Sequence, residues 1–206
     1  AVALDSARRE ARLVTTLALG DEARIDGIRW RLIGLLRCRE QGASEEWTEY
    51  LLYSERQGFL WLVESDAAWD KVRVLDTWPE SVSASAVRLD GAAYTRMQAY
   101  GAEVVYAAGA FNWQVKVGDK VSITDYRGAR GTLTSEQGKS ELGWSLAQWV
   151  PASTVDGWFG KGGKLAAVAP ASPVELEGPP DRATLRRPAW VFTALVLVSN
   201  VPIAVV

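Results

Sequence analysis

The chain has 206 residues, 48% of them hydrophobic, with 23 Lys and Arg against 25 Asp and Glu, a formal net charge of -2 and no His. That length permits one domain of about 150 residues with appendages, and a charge balance so nearly even offers no basic footprint for phosphates, so nucleic acid is not an expected partner. Lacking imidazole and holding one cysteine, Cys38, the chain has no Ser-His-Asp or Cys-His pair, no intrachain disulfide and no multi-cysteine zinc site, and neither cofactor nor metal is expected.

Residues 1–19 form an N-terminal extension. Asp5, Arg8, Arg9, Glu10 and Arg12 alternate there with Leu4, Ala11 and Leu13, which fits a short helix and equally the tail of a linker. The opening Ala in place of Met reads as the start of a piece of a longer protein. From Gly20 the pattern turns to strands. Asp26-Gly27 lies between apolar runs, the chemistry of a two-residue hairpin whose central residues take positive φ. Trp47–Tyr53 and Phe59–Glu64, joined through Gly58, read as a second hairpin, and Asp90-Gly91 marks a third. Val115–Val117 and Val121–Tyr126, joined at Gly118-Asp119, read as a fourth. Leu133–Glu136 leads through a glycine-containing loop to Glu141–Ser145. A short helix follows Pro151, with Ser153 or Thr154 as N-cap and Trp158 and Phe159 on its apolar face. Ile25-Asp26-Gly27-Ile28-Arg29-Trp30 is echoed 64 residues later by Leu89-Asp90-Gly91-Ala92-Ala93-Tyr94, which fits either duplication of a small β unit or two uses of a common turn. The expected fold of residues 20–160 is mainly β, antiparallel hairpins forming a sandwich or a partly open barrel, in two similar halves if the echo is a duplication.

Residues 161–187, rich in Gly, Ala and Pro, read as a linker. Residues 188–206 carry no charge and follow Arg182, Arg186 and Arg187. A hydrocarbon core of about 30 Å needs roughly 20 apolar residues, so this stretch reads as a membrane segment of marginal length, cut short at Val206; a buried core element is the alternative. The flanking arginines place the β-domain on the cytoplasmic side.

The series Trp47-Thr48-Glu49-Tyr50-Leu51-Leu52, Gly58-Phe59-Leu60-Trp61-Leu62-Val63-Glu64, Leu133-Thr134-Ser135-Glu136 and Glu141-Leu142-Gly143-Trp144-Ser145 resembles the bacterial domain of unknown function 4178 over roughly Gly20 to Phe159. The resemblance implies a β-rich domain, often with an N-terminal zinc ribbon and membrane segments. It implies no activity and no catalytic residues, and the ribbon's cysteines are missing from this chain.

The candidate binding residues are Trp47, Glu49, Glu64, Trp69, Trp78, Glu136 and Glu141. Trp47 and Glu49 share one side of a strand, and pairing around Arg56-Gln57 would bring Glu49 toward Glu64. Grouped with Glu136 and Glu141, such acids suit general acid-base work or a hard cation, and equally suit arginine pairing and turn capping at a sheet edge. Trp30, Trp61, Trp113 and Trp144 read as core, while Trp69 and Trp78, in a turn-rich region, read as partly exposed and able to stack on a sugar or dock a partner. Cys38 reads as a buried, inert thiol. Three function classes follow: a membrane-tethered binding or scaffolding module in an envelope-associated assembly, with a protein partner and no catalytic group; a carboxylate-based hydrolase or carbohydrate binder; and a purely structural domain of a longer protein.

Overall fold

The computed structural model describes residues 15–165, apart from positions 67 and 140; the linker, the membrane segment and most of the N-terminal extension lie outside the described residues. Eleven strands follow one another: β1 (Glu22–Ile25), β2 (Ile28–Glu40), β3 (Glu46–Ser54), β4 (Gly58–Ser65), β5 (Ala68–Val74), β6 (Glu80–Ser83), β7 (Ala86–Leu89), β8 (Ala92–Gly109), β9 (Lys120–Gly128), β10 (Gly131–Gln137) and β11 (Leu142–Val150), then helix α1 (Ala152–Phe159). Two antiparallel meanders, β2–β5 and β8–β11, join edge to edge through β5·β11 and β2·β8. The result is a closed eight-stranded barrel, neither a sandwich nor an open one. Closure pairs every central edge, and the short strands β1 and β7–β6 extend the outer edges of β2 and β8.

The Asp-Gly echo is structural. Asp26 and Gly27 have φ of 52° and 79°, Asp90 and Gly91 of 48° and 77°, so each turn has both central residues at positive φ, matching the twist of its strands. Ile25↔Ile28 and Ala23↔Trp30 in one hairpin correspond to Leu89↔Ala92 and Val87↔Tyr94 in the other. Trp30 and Tyr94 occupy equivalent positions, and both are buried. Each half of the barrel is therefore a short strand, an Asp-Gly turn, a long strand and a meander.

Strand partners traced around the barrel from Gly109 through Gly34, Leu51, Trp61, Val72, Ala147, Thr132 and Arg127 return to β8 at Thr95, 14 positions from the start, counting the bulged Met97 and Val105. Tilt, stagger and diameter are linked in a barrel, and so large a stagger requires bulky side chains inside. Trp47 and Trp61 fill the interior together with Leu36, Leu51, Val72 and Ile123. Trp113 and Phe111, from the β8–β9 connection, pack in as well, with ring centroids 5.5 Å (Trp61–Trp113) and 5.3 Å (Phe111–Trp113) apart. Gly34 allows this entry: a Cβ there would stand 2.7 Å from the Ala110 carbonyl and 2.8 Å from the Phe111 ring. The expected fourth hairpin is thus replaced, because β9 begins at Lys120 and pairs with β8 while Val115 packs on the interior cluster.

A second core covers the outside of β2–β5. Leu17, Ile25, Trp30, Leu32, Tyr50, Leu62 and Trp69 meet Val155 of α1 there, and Trp69, expected to be partly exposed, is 2% exposed. No side chain caps α1, since Pro151 holds the N-cap position in place of Ser153 or Thr154. Gly160 ends the helix at φ 61°. The Asp156 carboxylate then accepts the backbone N–H groups of Gly163 and Leu165. Val87, Leu89, Tyr94, Leu133 and Leu146 form a third cluster outside β9–β11. Among the described residues no helix is long and apolar enough to cross a membrane.

Candidate functional site

Alternation along β3 sends Trp47, Glu49 and Leu51 into the barrel and Thr48, Tyr50 and Leu52 outward. The Trp47 Nε1–H donates to Glu49 Oε1 at 2.7 Å. The β3–β4 register sets Glu49 opposite Val63 and Glu64 opposite Thr48, so Glu49 and Glu64 lie on opposite faces of the sheet and do not converge. Outside, Glu64 accepts hydrogen bonds from the Tyr50 hydroxyl at 2.6 Å and from Thr16 Oγ1, and Tyr50 stacks on Trp69 at 5.6 Å. Burial, reinforced by the Glu64 carboxylate, drives the Tyr50 phenol far above its ordinary range. Glu64 and Trp69 therefore belong to an anchor that ties the segment before β1 to the barrel.

Glu136 joins Glu49 inside, as its neighbours report. Burial pushes the Cys38 thiol well up, and the Glu49 and Glu136 carboxylates push the same way against Arg37; a thiol held protonated is inert. The Tyr100 phenol is likewise raised, first by burial and then by Asp125, Glu136, Glu49 and Glu40. Asp125, 1% exposed, accepts from Thr134 Oγ1 at 2.6 Å and from Gln98 Nε2 at 2.9 Å. Asp70 is 7% exposed, and burial pushes its carboxyl up to about 7, with Arg127 opposing and Asp125 adding.

Trp47, Glu49 and Glu136 are thus brought together, in company with Asp70, Asp125 and Tyr100, which sequence reasoning misses. The signal is present: Asp125 follows Val121 and Ile123 at period two, and Asp70 precedes Val72 and Val74. Trp78, 63% exposed, stands apart on the connection between β5 and β6. Glu141 sits in the connection before β11, where its carbonyl accepts from the Gly138 N–H and from Gln137 Nε2. Among the described residues no group of three or more His, Cys, Asp and Glu is arranged to hold a metal ion. Glu49 and Glu136, 0% and 2% exposed, present no carboxylate to a surface; inside the barrel they can accept hydrogen bonds, as Glu49 does from Trp47.

The outer wall offers a different kind of site. The β1–β2 hairpin leans over β4, β5 and β11, leaving a groove of about 360 Å³ lined by Trp30, Phe59, Leu60, Lys71, Arg73 and Arg130 among others. Asp26 at the hairpin tip reaches Lys71 Nζ at 3.3 Å. Arg130 lies 3.4 Å from Asp90, with both side chains largely in solvent. The Trp30 indole N–H is buried without a hydrogen-bond partner.

The model of a family described as domain of unknown function (DUF4178) matches residues 18–152, which runs from just before β1 to the first residue of α1. No curated protein and no solved structure matches the chain.

Proposed function

We propose, from the premise that the chain belongs to the DUF4178 family, that it is a membrane-tethered binding or scaffolding module, its barrel on the cytoplasmic face and engaging a protein partner in an envelope-associated assembly. The observation that carries this reading is an interior occupied by the chain's own tryptophans, with Glu49 and Asp125 engaged by Trp47, Thr134 and Gln98. A hydrolase built on paired carboxylates needs both beside a substrate, whereas Glu49 and Glu136 are enclosed and Glu64 and Glu141 lie elsewhere. What faces outward is contact surface: Trp78 and Trp149 are 63% and 51% exposed, and Tyr53 and Phe59 form an exposed ring pair at 5.3 Å. Exposed tryptophan is characteristic of residues that dominate binding energy. The tether rests on sequence, on the linker 161–187 and the uncharged stretch 188–206 behind three arginines.

Two measurements test the reading. A tagged full-length protein should fractionate with membranes and be cleaved in its barrel only when protease enters the cytoplasm; recovery in the soluble fraction removes the tether. A photo-crosslinking residue at position 78 should give one dominant protein adduct in cells. Adducts that are absent or unselective would favour the purely structural domain.

A further inference from the structure

The outer groove combines features that the filled interior lacks, and its chemistry is one-sided. Its charged lining is mostly cationic, Lys71, Arg73 and Arg130, joined by the amides of Gln57 and Gln148, which can donate or accept. Asp26 is the one acid in the lining, and it lies 3.3 Å from Lys71 Nζ. Arg73 forms no ion pair among the described residues, and the Arg130–Asp90 contact is exposed, a class of pair that holds its partners weakly. Two guanidinium groups are therefore available in a groove that is also lined by Ile25, Ile28, Leu60 and Leu146.

Trp30 lines the groove, but at 6% exposure its Nε1 is buried and unpartnered, so the indole N–H lies close enough to report on an occupant without being one of its contacts. Arginine presents a planar fork that matches carboxylate and phosphate. At about 360 Å³ the groove falls within the size range of small-molecule sites and near its lower end. We propose that this groove binds a small organic anion, a carboxylate or phosphate ester on an apolar body the size of a single ring, with Arg73 and Arg130 on the charged group and the body against Leu60 and Leu146. The inference deepens the binding-module reading and rests on it.

The test is ¹⁵N NMR of the 206-residue chain titrated with phenyl phosphate up to about 10 mM, enough to saturate a site with Kd near about 1 mM. The Trp30 indole resonance, assigned by its loss in Trp30→Phe, should shift saturably. Arg73→Gln should weaken binding at least about tenfold while the rest of the spectrum stays in place, and Arg130→Gln should weaken it too. An indole resonance unmoved by phenyl phosphate overturns the proposal, as does unchanged affinity in Arg73→Gln. Inorganic phosphate at matched ionic strength moving the resonance equally would overturn the apolar part of the assignment. Phosphatidylglycerol vesicles moving it where phenyl phosphate does not would overturn the small ligand in favour of a lipid surface. Each failure leaves the crosslinking outcome at position 78 untouched, so it can be told apart from failure of the module reading.

Discussion

Asp70 shows how a single buried acid makes stability depend on pH. Its carboxyl is raised from an ordinary 3.8 to about 7 by burial, so the folded chain holds this proton more tightly than the unfolded one. Stability rises with pH only where the unfolded state binds more protons, and here the folded state does. Asp70's contribution is therefore fully present below about pH 4, declines as pH rises toward 7 and stays lost above it. Where the two states differ by one proton, stability changes by about 1.4 kcal/mol for each step of one in pH, so the decline between about pH 5 and pH 8 amounts to about 2 to 3 kcal/mol. Asp70→Asn, which does not titrate, should flatten the pH dependence of urea unfolding by about that amount relative to the parent; equal slopes would show that Asp70 does not titrate in this range. Glu49 is legible as a candidate because it stands in a compact motif with Trp47, and Glu136 because it closes the motif Leu133-Thr134-Ser135-Glu136. Asp70 and Asp125 carry the period-two signal but are passed over, because a lone acid at the apolar phase of a strand reads as a break in the pattern unless something shows that both faces of the strand are buried. In a covered barrel wall both faces are: Asp70 lies between Trp69 on the outside, 2% exposed, and Val72 on the inside, 0% exposed.

At the scale of elements, what can be read is what chemistry fixes locally. The Asp-Gly turns are legible because both central residues require positive φ, and the two β3–β4 and β10–β11 hairpins because a glycine-containing loop separates two apolar runs. β8 is not, since Gly101 and the polar Thr95-Arg96-Met97-Gln98 interrupt what is one 18-residue strand. The reason for Gly101 is tertiary: the Gln41 side chain packs over it, 2.8 Å from where a Cβ would sit, and donates from Nε2 to the Ala102 carbonyl. Trp69 escapes a sequence reading for a similar reason, since its cover comes from Tyr50, distant in sequence. The equivalence of the two hairpins can itself be measured. A Cβ added at Gly27 or Gly91 meets nothing within 4 Å, while φ is 79° and 77°, so Gly→Ala there reads backbone strain alone, about 1 to 2 kcal/mol. Gly27→Ala and Gly91→Ala should lower the unfolding free energy by amounts agreeing within about 0.5 kcal/mol. Costs that differ by more would mean that the echo is confined to the turn residues and does not extend to the hairpins' settings in the barrel.

The whole molecule turns on closure, and closure is where a single sequence is silent. Period-two patterning gives the faces of a strand but not its partner, and the β2·β8 pairing, Gly34↔Gly109 to Glu40↔Ala102, joins strands more than sixty residues apart; sandwich and barrel are the same pattern until that seam is drawn. The seam also determines what the tryptophans are for. With a stagger of 14 positions the barrel is wide, and Phe111, Trp113 and Val115 from the β8–β9 connection complete its packing. If residues 110–119 serve as a plug, truncating one of them must cost what a core truncation costs. Full removal of a buried Trp or Phe costs about 3 to 5 kcal/mol, and Trp113, half-buried against Trp61 and Phe111, should lose about 2 to 3 kcal/mol as Trp113→Ala in urea unfolding. Trp78→Ala is the matched control: the same substitution at a tryptophan 63% exposed should change stability by no more than about 0.5 kcal/mol, the usual range for surface positions. Amide resonances of Leu51 and Val72, which face the same interior, should move in the Trp113 variant and stay in place in the Trp78 variant. Two equal, small costs would mean that the connection lies on the barrel as an ordinary loop, and that the interior is closed by the strands alone.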